Sequence, residues 1–281
     1  MSRLRKFAQR IRHAPGLERA EGLWKVLRKP YQKLLNAGGR GVLIRVGGKA
    51  EVRMPAEFAG GSWETYEPET VEIFKRWVQD HPDGLVLDVG SSLGIFSAVA
   101  LFAQSTASVI AFDPDLSSLA AARRLCQYAS GARLQLANCF VTDVASDTNL
   151  LEEAAALTEE ALAKSDVRGD VGTTRYICLN DATRTSIPTY RLDDLLADRM
   201  SSDRPLLIKC DVEGAELNVL HGGEKLLRRM RPDLVLSIHP AALPNYGHSK
   251  TDVETFLNDL NYIIKVIGID HEEHWWCECR L

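Results

Sequence analysis

The sequence predicts an α/β fold built on a mostly parallel sheet. Short apolar runs of strand length recur along the chain, and segments with the helical spacing of apolar residues separate most of them. The runs at residues 85–87, 108–112, 206–210 and 234–238 each end at a polar or charged side chain. Because the carboxyl ends of parallel strands meet at one edge of a sheet, we expect these polar side chains to gather there.

The stretch LVLDVGSSLG at residues 85–94 predicts a strand, a glycine turn and the start of a helix. Gly90 and Gly94 permit backbone angles that other residues avoid, and they let the chain pass close to a bound molecule. Asp88 places a carboxylate where a cationic group can bind. Dinucleotide sites usually have the spacing G-x-G-x-x-G, so this turn favours the ammonium group of S-adenosylmethionine over a pyrophosphate. An ordinary strand-to-helix turn is the alternative.

Composition indicates a soluble globular protein with one large domain and appendages, or with two small domains. The chain has 281 residues, of which 45% are hydrophobic and 26% charged. Six cysteines are spread over predicted strands and helices without a signal peptide, which favours reduced thiols and a cytoplasmic location. The sequence contains no apolar run of the roughly 20 residues that a membrane span needs.

The net charge of -4 conceals a basic N-terminal arm on an acidic body. Residues 1–40 contain eleven Lys or Arg but only Glu18 and Glu21 as acids, and their apolar residues have helical spacing. Two short amphipathic helices are expected, either packed on the body or in peripheral contact with an anionic membrane through residues 1–35. Residues 42–54 predict a β-hairpin. The predicted domains are therefore residues 1–62, the arm and hairpin, and residues 63–281.

Other acids occupy positions suited to a cofactor. Glu67 lies just before a helix in the stretch WETYEPE, where it either faces the ligand pocket or caps the helix. Asp113 ends the second strand, where a carboxylate accepts hydrogen bonds from ribose hydroxyls. Asp143 follows the third strand, near the expected adenine end of the pocket. Residues 145–185 interrupt the alternation of strands and helices with an acidic helix and a strand at 175–179. They predict a lid or a structural insertion.

The carboxyl ends of the last two apolar runs carry the candidates for chemistry. Asp211, Glu213 and Glu216 crowd one strand end, and such like charges raise one another's proton affinity, which favours functional use. His239 ends the next strand and can act as a base or, with Asp211, as a metal ligand. A zinc site at His271, His274, Cys277 and Cys279 is not favoured, because Trp275, Cys277 and Cys279 alternate as in a strand and the spacing matches no common zinc finger.

Taken together, several motifs resemble the FkbM family of S-adenosylmethionine-dependent methyltransferases. The similarity extends over residues 64–281 and rests on the stretches DVGSSLG (88–94), AFDPD (111–115), RLDDLL (191–196), IKCDVEGAELNVLHGGEKLL (208–227) and RPDLVLSIHP (231–240). The resemblance implies a Rossmann-like class I methyltransferase sheet whose last strand is antiparallel. The N-terminal helical arm and hairpin lie outside it.

The resemblance also implies roles for individual residues. Asp88, Gly90 and Gly94 would hold the methionine end of the cofactor, Asp113 the ribose, and Asp211 the methyl-transfer end, while Glu67 would face the cofactor. Two positions depart from the family pattern. Asp113 stands where Glu is usual, which preserves hydrogen bonding. Ser237 stands where a Glu is usual, which weakens any role implied for that carboxylate and favours His239 as the functional residue.

The expected function is O-methylation of a hydroxyl on a sugar, glycan or natural product. Either His239 or Asp211 would remove the proton, or both would hold a divalent metal that acidifies the hydroxyl. A nucleic-acid methyltransferase is an alternative suggested by the basic arm, but the acidic body and the lack of an N-P-P-Y motif disfavour a nucleic-acid partner. A non-catalytic cofactor-binding module and a nicotinamide enzyme are further alternatives. The sequence does not predict the oligomeric state.

Overall fold

A computed structural model describes residues 32, 41–103, 106–129, 133–146, 150–165, 177–184 and 186–280. Nearly all of the basic arm lies outside these residues. Its two predicted helices and its predicted membrane contact therefore stay predictions.

The described chain alternates strands and helices after an initial hairpin. The strands are β1 (Val42–Val46), β2 (Ala50–Met54), β3 (Leu85–Val89), β4 (Ser108–Asp113), β5 (Leu134–Asn138), β6 (Phe140–Val141), β7 (Thr189–Tyr190), β8 (Leu206–Cys210), β9 (Asp233–Ile238), β10 (Tyr262–Ile269) and β11 (Glu273–Cys279). The helices are α1 (Pro68–Asp80), α2 (Ile95–Phe102), α3 (Leu116–Cys126), α4 (Leu151–Lys164), α5 (Leu192–Leu195), α6 (Glu216–Gly222), α7 (Glu224–Met230) and α8 (Lys250–Asp259). Short 3₁₀ turns occur at Trp63–Thr65, Leu179–Arg184 and Leu243–Tyr246.

The main sheet has the order β10-β11-β9-β8-β3-β4-β5 among the described residues. Strands β3, β4, β5, β8 and β9 pair in parallel, whereas β11 is antiparallel to both β9 and β10. The predicted α/β fold, mostly parallel with an antiparallel last strand, is confirmed. One geometric consequence matters for the site: the turn between β10 and β11 lies at the same edge as the carboxyl ends of the parallel strands.

The central strands are apolar along their length because both faces of the sheet are covered. Every residue of β3 and of β8 is buried. Large apolar clusters occupy the two faces, one around Leu87, Ile208 and Trp275, the other around Val86 and Phe74. Full burial of each large aliphatic side chain stabilises the fold by about 1.5–3 kcal/mol. The central strands therefore fix the position of whatever follows their carboxyl ends.

The N-terminal hairpin shares one of these clusters. β1 and β2 pair antiparallel, as predicted, with Val46 opposite Ala50. Val46, Val52 and Met54 are fully buried, and they belong to the same apolar cluster as Phe74 of α1. The hairpin thus packs on the sheet's helical layer, while the predicted domain boundary after residue 62 stays a prediction.

The predicted insertion at residues 145–185 contains α4, which packs along the edge strand β5. The hydroxyl of Thr158 accepts a hydrogen bond of 2.8 Å from the backbone N–H of Asn138, so the helix satisfies part of that edge. Leu179 begins a 3₁₀ turn, and the strand predicted at 175–179 therefore does not include it. Residues 175 and 176 lie outside the described part of the chain.

The glycines of the central turn are required by packing within the protein. Both Gly90 and Gly94 have a φ of +75°. A Cβ on Gly90 would lie 1.8 Å from the backbone oxygen of Asp211, and one on Gly94 would lie 2.6 Å from the Cβ of Ala122. Gly90 thus allows the ends of β3 and β8 to meet, and Gly94 allows α2 to pack on α3. Packing within the protein is therefore sufficient reason for glycine at both positions, without a bound ligand.

Two other sequence expectations concern cysteines and membranes. All six cysteines are free thiols, consistent with the predicted reduced state. Among the described residues, the structure has no helix with the length and apolar character to cross a membrane.

A buried ammonium lies at the carboxyl edge of the sheet. Lys209 of β8 is almost wholly buried, and its Nζ donates a 2.7 Å hydrogen bond to Oδ2 of Asp211. Burial alone would lower the pKa of Lys209, but the carboxylates of Asp211, Asp88 and Glu67 hold it above its usual value. The Nζ also lies 5.0 Å from the centre of the Phe96 ring. One cation therefore compensates carboxylates from three separate segments of the chain.

Replacing this ammonium should destabilise the fold strongly. Lys209→Met leaves buried carboxylates without their cation, and the expected loss of unfolding free energy is about 3–5 kcal/mol at neutral pH. The loss should shrink as the pH falls, because protonation of the carboxylates removes the uncompensated charge. Urea unfolding at several pH values measures it. Lys225→Met, at an exposed position of α7, is the matched control and should change stability by less than about 0.5 kcal/mol. Equal stability of the two variants would contradict this account.

Candidate active site

A cavity of about 430 Å³ opens at the carboxyl edge of the sheet. The ends of β3, β4 and β8, the segment after β5, the residues before α1 and the turn between β10 and β11 all contribute to it. Its lining residues are Tyr66, Glu67, Val89, Gly90, Ser92, Phe112, Asp113, Pro114, Ser118, Cys139, Phe140, Val141, Ile177, Leu179, Asp211, Val212, Glu213, Ala215, His271 and Glu272. The cavity therefore unites four of the predicted site residues: Glu67, Gly90, Asp113 and Asp211.

Asp88 lies behind this cavity, and it is not among the lining residues. Its Oδ2 accepts hydrogen bonds from the backbone N–H and the hydroxyl of Ser97, at 3.0 and 2.6 Å. Burial raises the pKa of Asp88, and the nearby Lys209 ammonium opposes that rise. In this structure the Asp88 carboxylate fastens the first turn of α2 to the end of β3. Any contact with the methionine end of a cofactor would be indirect, through the shape of the turn.

Asp113 presents a carboxylate at the end of β4, as predicted. Oδ2 accepts a 2.8 Å hydrogen bond from the backbone N–H of Ser92, and Oδ1 accepts one of 2.8 Å from Asp115. These bonds fix the carboxylate against the central turn. Burial raises the pKa of Asp113 to about 7. The remaining lone pairs of its oxygens can accept hydrogen bonds from hydroxyl groups of a molecule in the cavity.

Glu67 contributes a buried carboxylate from the residue before α1. Its backbone has the left-handed conformation, with a φ of 37°, and it makes no side-chain cap for the helix. Its Oε2 is buried without a hydrogen-bond partner and lies 3.5 Å from Nδ1 of the His274 ring. Burial raises the pKa of Glu67. The cavity, rather than helix capping, accounts for this acid.

Backbone strain concentrates around the cavity. Among the described residues, the non-glycine residues with positive φ are Glu67, Ser92, Glu213, Arg231 and Asn261, and the first three line the cavity. Each such conformation costs on the order of 1–3 kcal/mol and persists only where the surroundings enforce it. Their clustering on three different segments is typical of a functional site.

His239 is surrounded by carboxylates. Its Nδ1 lies 2.8 Å from Oε1 of Glu216, and its Nε2 lies 3.4 Å from Oε2 of Glu213 and 3.8 Å from Oδ1 of Asp211. The Nε2 also contacts Oε2 of Glu272. His239 itself is absent from the cavity lining, but three of its four acidic neighbours line the cavity. The sequence prediction that Asp211 and His239 lie close together agrees with this geometry.

These charges shape the chemistry available to the two predicted catalytic residues. Burial alone would lower the pKa of His239, but the carboxylates of Glu216 and Glu272 raise it to about 10. Burial would raise the pKa of Asp211, whereas the Lys209 ammonium holds it below its usual value. This raised pKa favours the protonated ring, which makes His239 poorly suited to act as a base on its own. Asp211 is ionised and suited to accepting a hydrogen bond.

Asp143 does not reach the cavity. Its Oδ1 accepts hydrogen bonds from the hydroxyl of Thr142, at 2.9 Å, and from the side-chain amide of Asn218, at 3.2 Å. The carboxylate thus ties the segment after β6 to α6. Gly94 also is absent from the lining, which agrees with its packing against α3.

Sequence reasoning missed Glu272 and gave no role to His274. Glu272 is buried between two rings: Oε2 contacts Nε2 of His239, and Oε1 lies 3.6 Å from Nε2 of His274. The predicted antiparallel last strand could have indicated Glu272, because such a strand places the turn before it at the carboxyl ends of the parallel strands. The unfavoured zinc cluster does not form: Cys277 is buried in the apolar cluster around Leu87, and His271 is exposed.

The chain has low sequence identity to the solved structures that resemble it. No curated protein matches the chain. Among solved structures, it is similar to methyltransferase FkbM from Methylobacillus flagellatus KT, with 14% identity and a TM-score of 0.45 over 78% of this chain and 55% of that one. It is also similar to precorrin-6y C5,15-methyltransferase from Geobacter metallireducens GS-15, with 11% identity and a TM-score of 0.44 over 78% and 89% of the two chains. The chain spans little more than half of the FkbM structure's length.

The model of the methyltransferase FkbM domain matches residues 88–264, which is more than half of the chain. The matched region contains Asp113, Asp211 and His239, while Glu67 and Glu272 lie outside it. The chain belongs to the FkbM family of methyltransferases.

Proposed function

We propose that the chain is an S-adenosylmethionine-dependent O-methyltransferase that acts on a hydroxyl of a sugar, glycan or natural product. S-adenosylmethionine is the usual cofactor of methyltransferase families of this kind. The observation that carries the proposal is the cavity itself. It has a hydroxyl-binding carboxylate at one end, Asp113, and a group of carboxylates at the other, Asp211, Glu213 and Glu272.

The cavity has groups that fit each part of the cofactor. Its volume of about 430 Å³ is within the usual range of small-molecule sites. Asp113 suits the ribose hydroxyls, and the neighbouring apolar side chains of Phe140 and Val141 suit the adenine ring. The buried Oε2 of Glu67 lacks a hydrogen-bond partner, so an ammonium group in the cavity would satisfy it. Asp88 supports the same site from behind by holding the turn.

The acceptor class follows from the acidic end of the cavity. Carboxylates accept hydrogen bonds from hydroxyl groups, and several of them together suit a molecule that carries many hydroxyls. The same carboxylates repel phosphate groups, which disfavours a nucleic-acid substrate. The proposed acceptor is therefore a neutral, hydroxyl-rich molecule.

The chemistry requires an oxygen nucleophile aligned with the methyl group. When bound, the cofactor would supply an electrophilic methyl carbon and leave as S-adenosylhomocysteine. The hydroxyl proton of the acceptor would pass to Asp211 or to water. Lys209 binds Oδ2 of Asp211 and leaves Oδ1 facing the acidic end of the cavity. Asp211 is thus placed to accept a hydrogen bond from the acceptor hydroxyl and to orient it, which is a large part of such catalysis.

Two substitutions should separate cofactor binding from turnover. Asp113→Asn removes the charge that accepts ribose hydroxyls, so affinity for S-adenosylhomocysteine, measured by calorimetry, should fall about tenfold to a hundredfold. Asp211→Asn should reduce methyl transfer by at least about a hundredfold and change cofactor affinity less than about threefold. Transfer is measured with labelled cofactor and a small-molecule and glycan extract of the host cells.

The matched control is Asp83→Asn, at an exposed position before β3, which should change neither quantity. Full turnover in Asp211→Asn would refute its proposed role. A wild-type chain that binds S-adenosylhomocysteine but transfers no methyl group to any fraction would indicate the binding-module alternative.

We propose further that residues 1–35 attach the enzyme peripherally to an anionic membrane, where a lipid-linked glycan would be a suitable acceptor. The proposal rests on the excess of Lys and Arg in this segment and on its amphipathic spacing. In flotation with vesicles rich in phosphatidylglycerol, the full chain should float and a chain lacking residues 1–35 should not. Equal recovery of both in the soluble fraction would contradict it. Raised salt should release the full chain, since the attraction is electrostatic.

A further inference from the structure

The residues around His239 form an arrangement that hydrogen bonding alone does not explain. His239 is only 7% exposed, and its Nε2 contacts Oε2 of Glu272 without meeting the geometry of a hydrogen bond. Oxygen atoms of Glu213, Asp211 and Glu272 converge on this nitrogen. A proton on Nε2 can satisfy one of these oxygens, but three acids, two from the segment after β8 and one from the turn before β11, lie around it.

The other nitrogen of the ring is fixed. Nδ1 lies 2.8 Å from Oε1 of Glu216, which also accepts a 2.8 Å hydrogen bond from the backbone N–H of Gly214. Since a carboxylate accepts only, Nδ1 is the donor, and Nε2 faces the acids. A buried carboxylate that holds one imidazole nitrogen while the other faces acidic groups is the usual outer support of a metal-binding histidine.

We propose that Asp211, His239 and Glu272, with Glu213 beside them, form a binding site for one divalent transition-metal ion. The ligand atoms of Asp211, His239 and Glu272 all lie within 4.8 Å of one another. Ligands about 2.1 Å from an octahedral ion are separated by about 3 Å when adjacent and about 4 Å when opposite. The 3.4 and 3.8 Å separations of Nε2 from Glu213 and Asp211 fall between these values. Glu272 contacts Nε2 more closely than this, so its carboxylate must move back when the ion binds.

The ligand types indicate which ion fits. Carboxylate oxygens suit Mg²⁺, Ca²⁺ and Mn²⁺, whereas an imidazole nitrogen suits transition metals, so Mn²⁺ is compatible with the whole set. Lys209 occupies only Oδ2 of Asp211 and leaves Oδ1 for the ion. A second trio, Glu67, Glu272 and His274, is less suited, because His274 Nδ1 already lies 3.3 Å from the hydroxyl of Ser237.

The metal site has a consequence for catalysis, and this consequence rests on the proposed function. Asp211, Glu213 and Glu272 all line the cavity, so an ion bound to them would meet the acceptor hydroxyl. Binding to a divalent cation would lower the pKa of the acceptor hydroxyl, and its proton would then pass to solvent water as the oxygen forms the new C–O bond.

The test titrates Mn²⁺ into the full-length chain after treatment with EDTA and its removal. Electron paramagnetic resonance measures free Mn²⁺, and neither cofactor nor acceptor is added. We expect one saturable Mn²⁺ per wild-type chain. His239→Gln and Asp211→Asn should each weaken binding by more than about a hundredfold, and Glu216→Gln, through loss of support, by about tenfold to a hundredfold.

Two more variants keep the test decisive. Glu213→Gln changes a side chain that is half exposed, so it can be measured if a buried variant fails to fold; about tenfold weaker binding is expected. His271→Gln changes a histidine that is 78% exposed. Its acidic group contains Asp270 and shares Glu272 with the proposed site, but it includes neither His239 nor Asp211, so this variant should bind Mn²⁺ as the wild type does.

Three results would overturn the proposal: no saturable binding by the wild type, equal affinity in His239→Gln or Glu213→Gln, or loss of binding in His271→Gln alone. The proposed function fails separately. Full methyl transfer in EDTA by a chain that binds no Mn²⁺ would refute the metal site and leave the methyltransferase intact. Mn²⁺ binding without methyl transfer to any extract would support the metal site and refute the proposed methyltransferase function.

Discussion

The ion pair between Lys209 and Asp211 is the interaction on which the rest of the site depends. A charge this deeply buried requires compensation, and Lys209 receives it from acids on β3, on β8 and before α1. The pair therefore holds the ends of two central strands and the segment carrying Glu67 in one electrostatic unit. It also selects which oxygen of Asp211 faces the cavity, because Nζ takes Oδ2.

At the same edge of the sheet, on the side away from Lys209, several carboxylates lie close together around His239. His239 and the three acids facing its Nε2 come from the ends of β8 and β9 and from the turn before β11. Strained backbone at Glu213 and at Glu67 accompanies this crowding. Such an arrangement is costly for stability, and its position beside the cavity is the reason for proposing a ligand there.

Much of the fold was accessible from sequence because central parallel strands are apolar throughout and end in polar residues. Asp113 and Asp211 follow such strands directly, and the cavity includes both. Asp88 fits the same pattern, but its carboxylate accepts a hydrogen bond from Ser97. The direction of a side chain at a strand end depends on the helix that follows, which the pattern does not predict. The sequence predicts Asp143 near the adenine end of the pocket because it follows the third strand. A tertiary contact with Asn218 determines its position instead.

The residues that sequence reasoning missed depend on long-range topology. Glu272 reaches the site only because β11 runs antiparallel between β9 and β10, and strand order is not a local property. The burial of His239 among four acids likewise depends on three segments far apart in sequence, so its raised pKa could not be read from its neighbours along the chain.

A crystal structure of the full chain with S-adenosylhomocysteine would test the central claim most directly, namely that the cavity at the carboxyl edge holds the cofactor with its reacting end at Asp211. The account predicts ribose hydroxyls within hydrogen-bonding distance of Asp113 and a sulfur atom that faces the Asp211 end of the cavity. A product molecule bound outside this cavity, or one whose sulfur points away from Asp211, would contradict it.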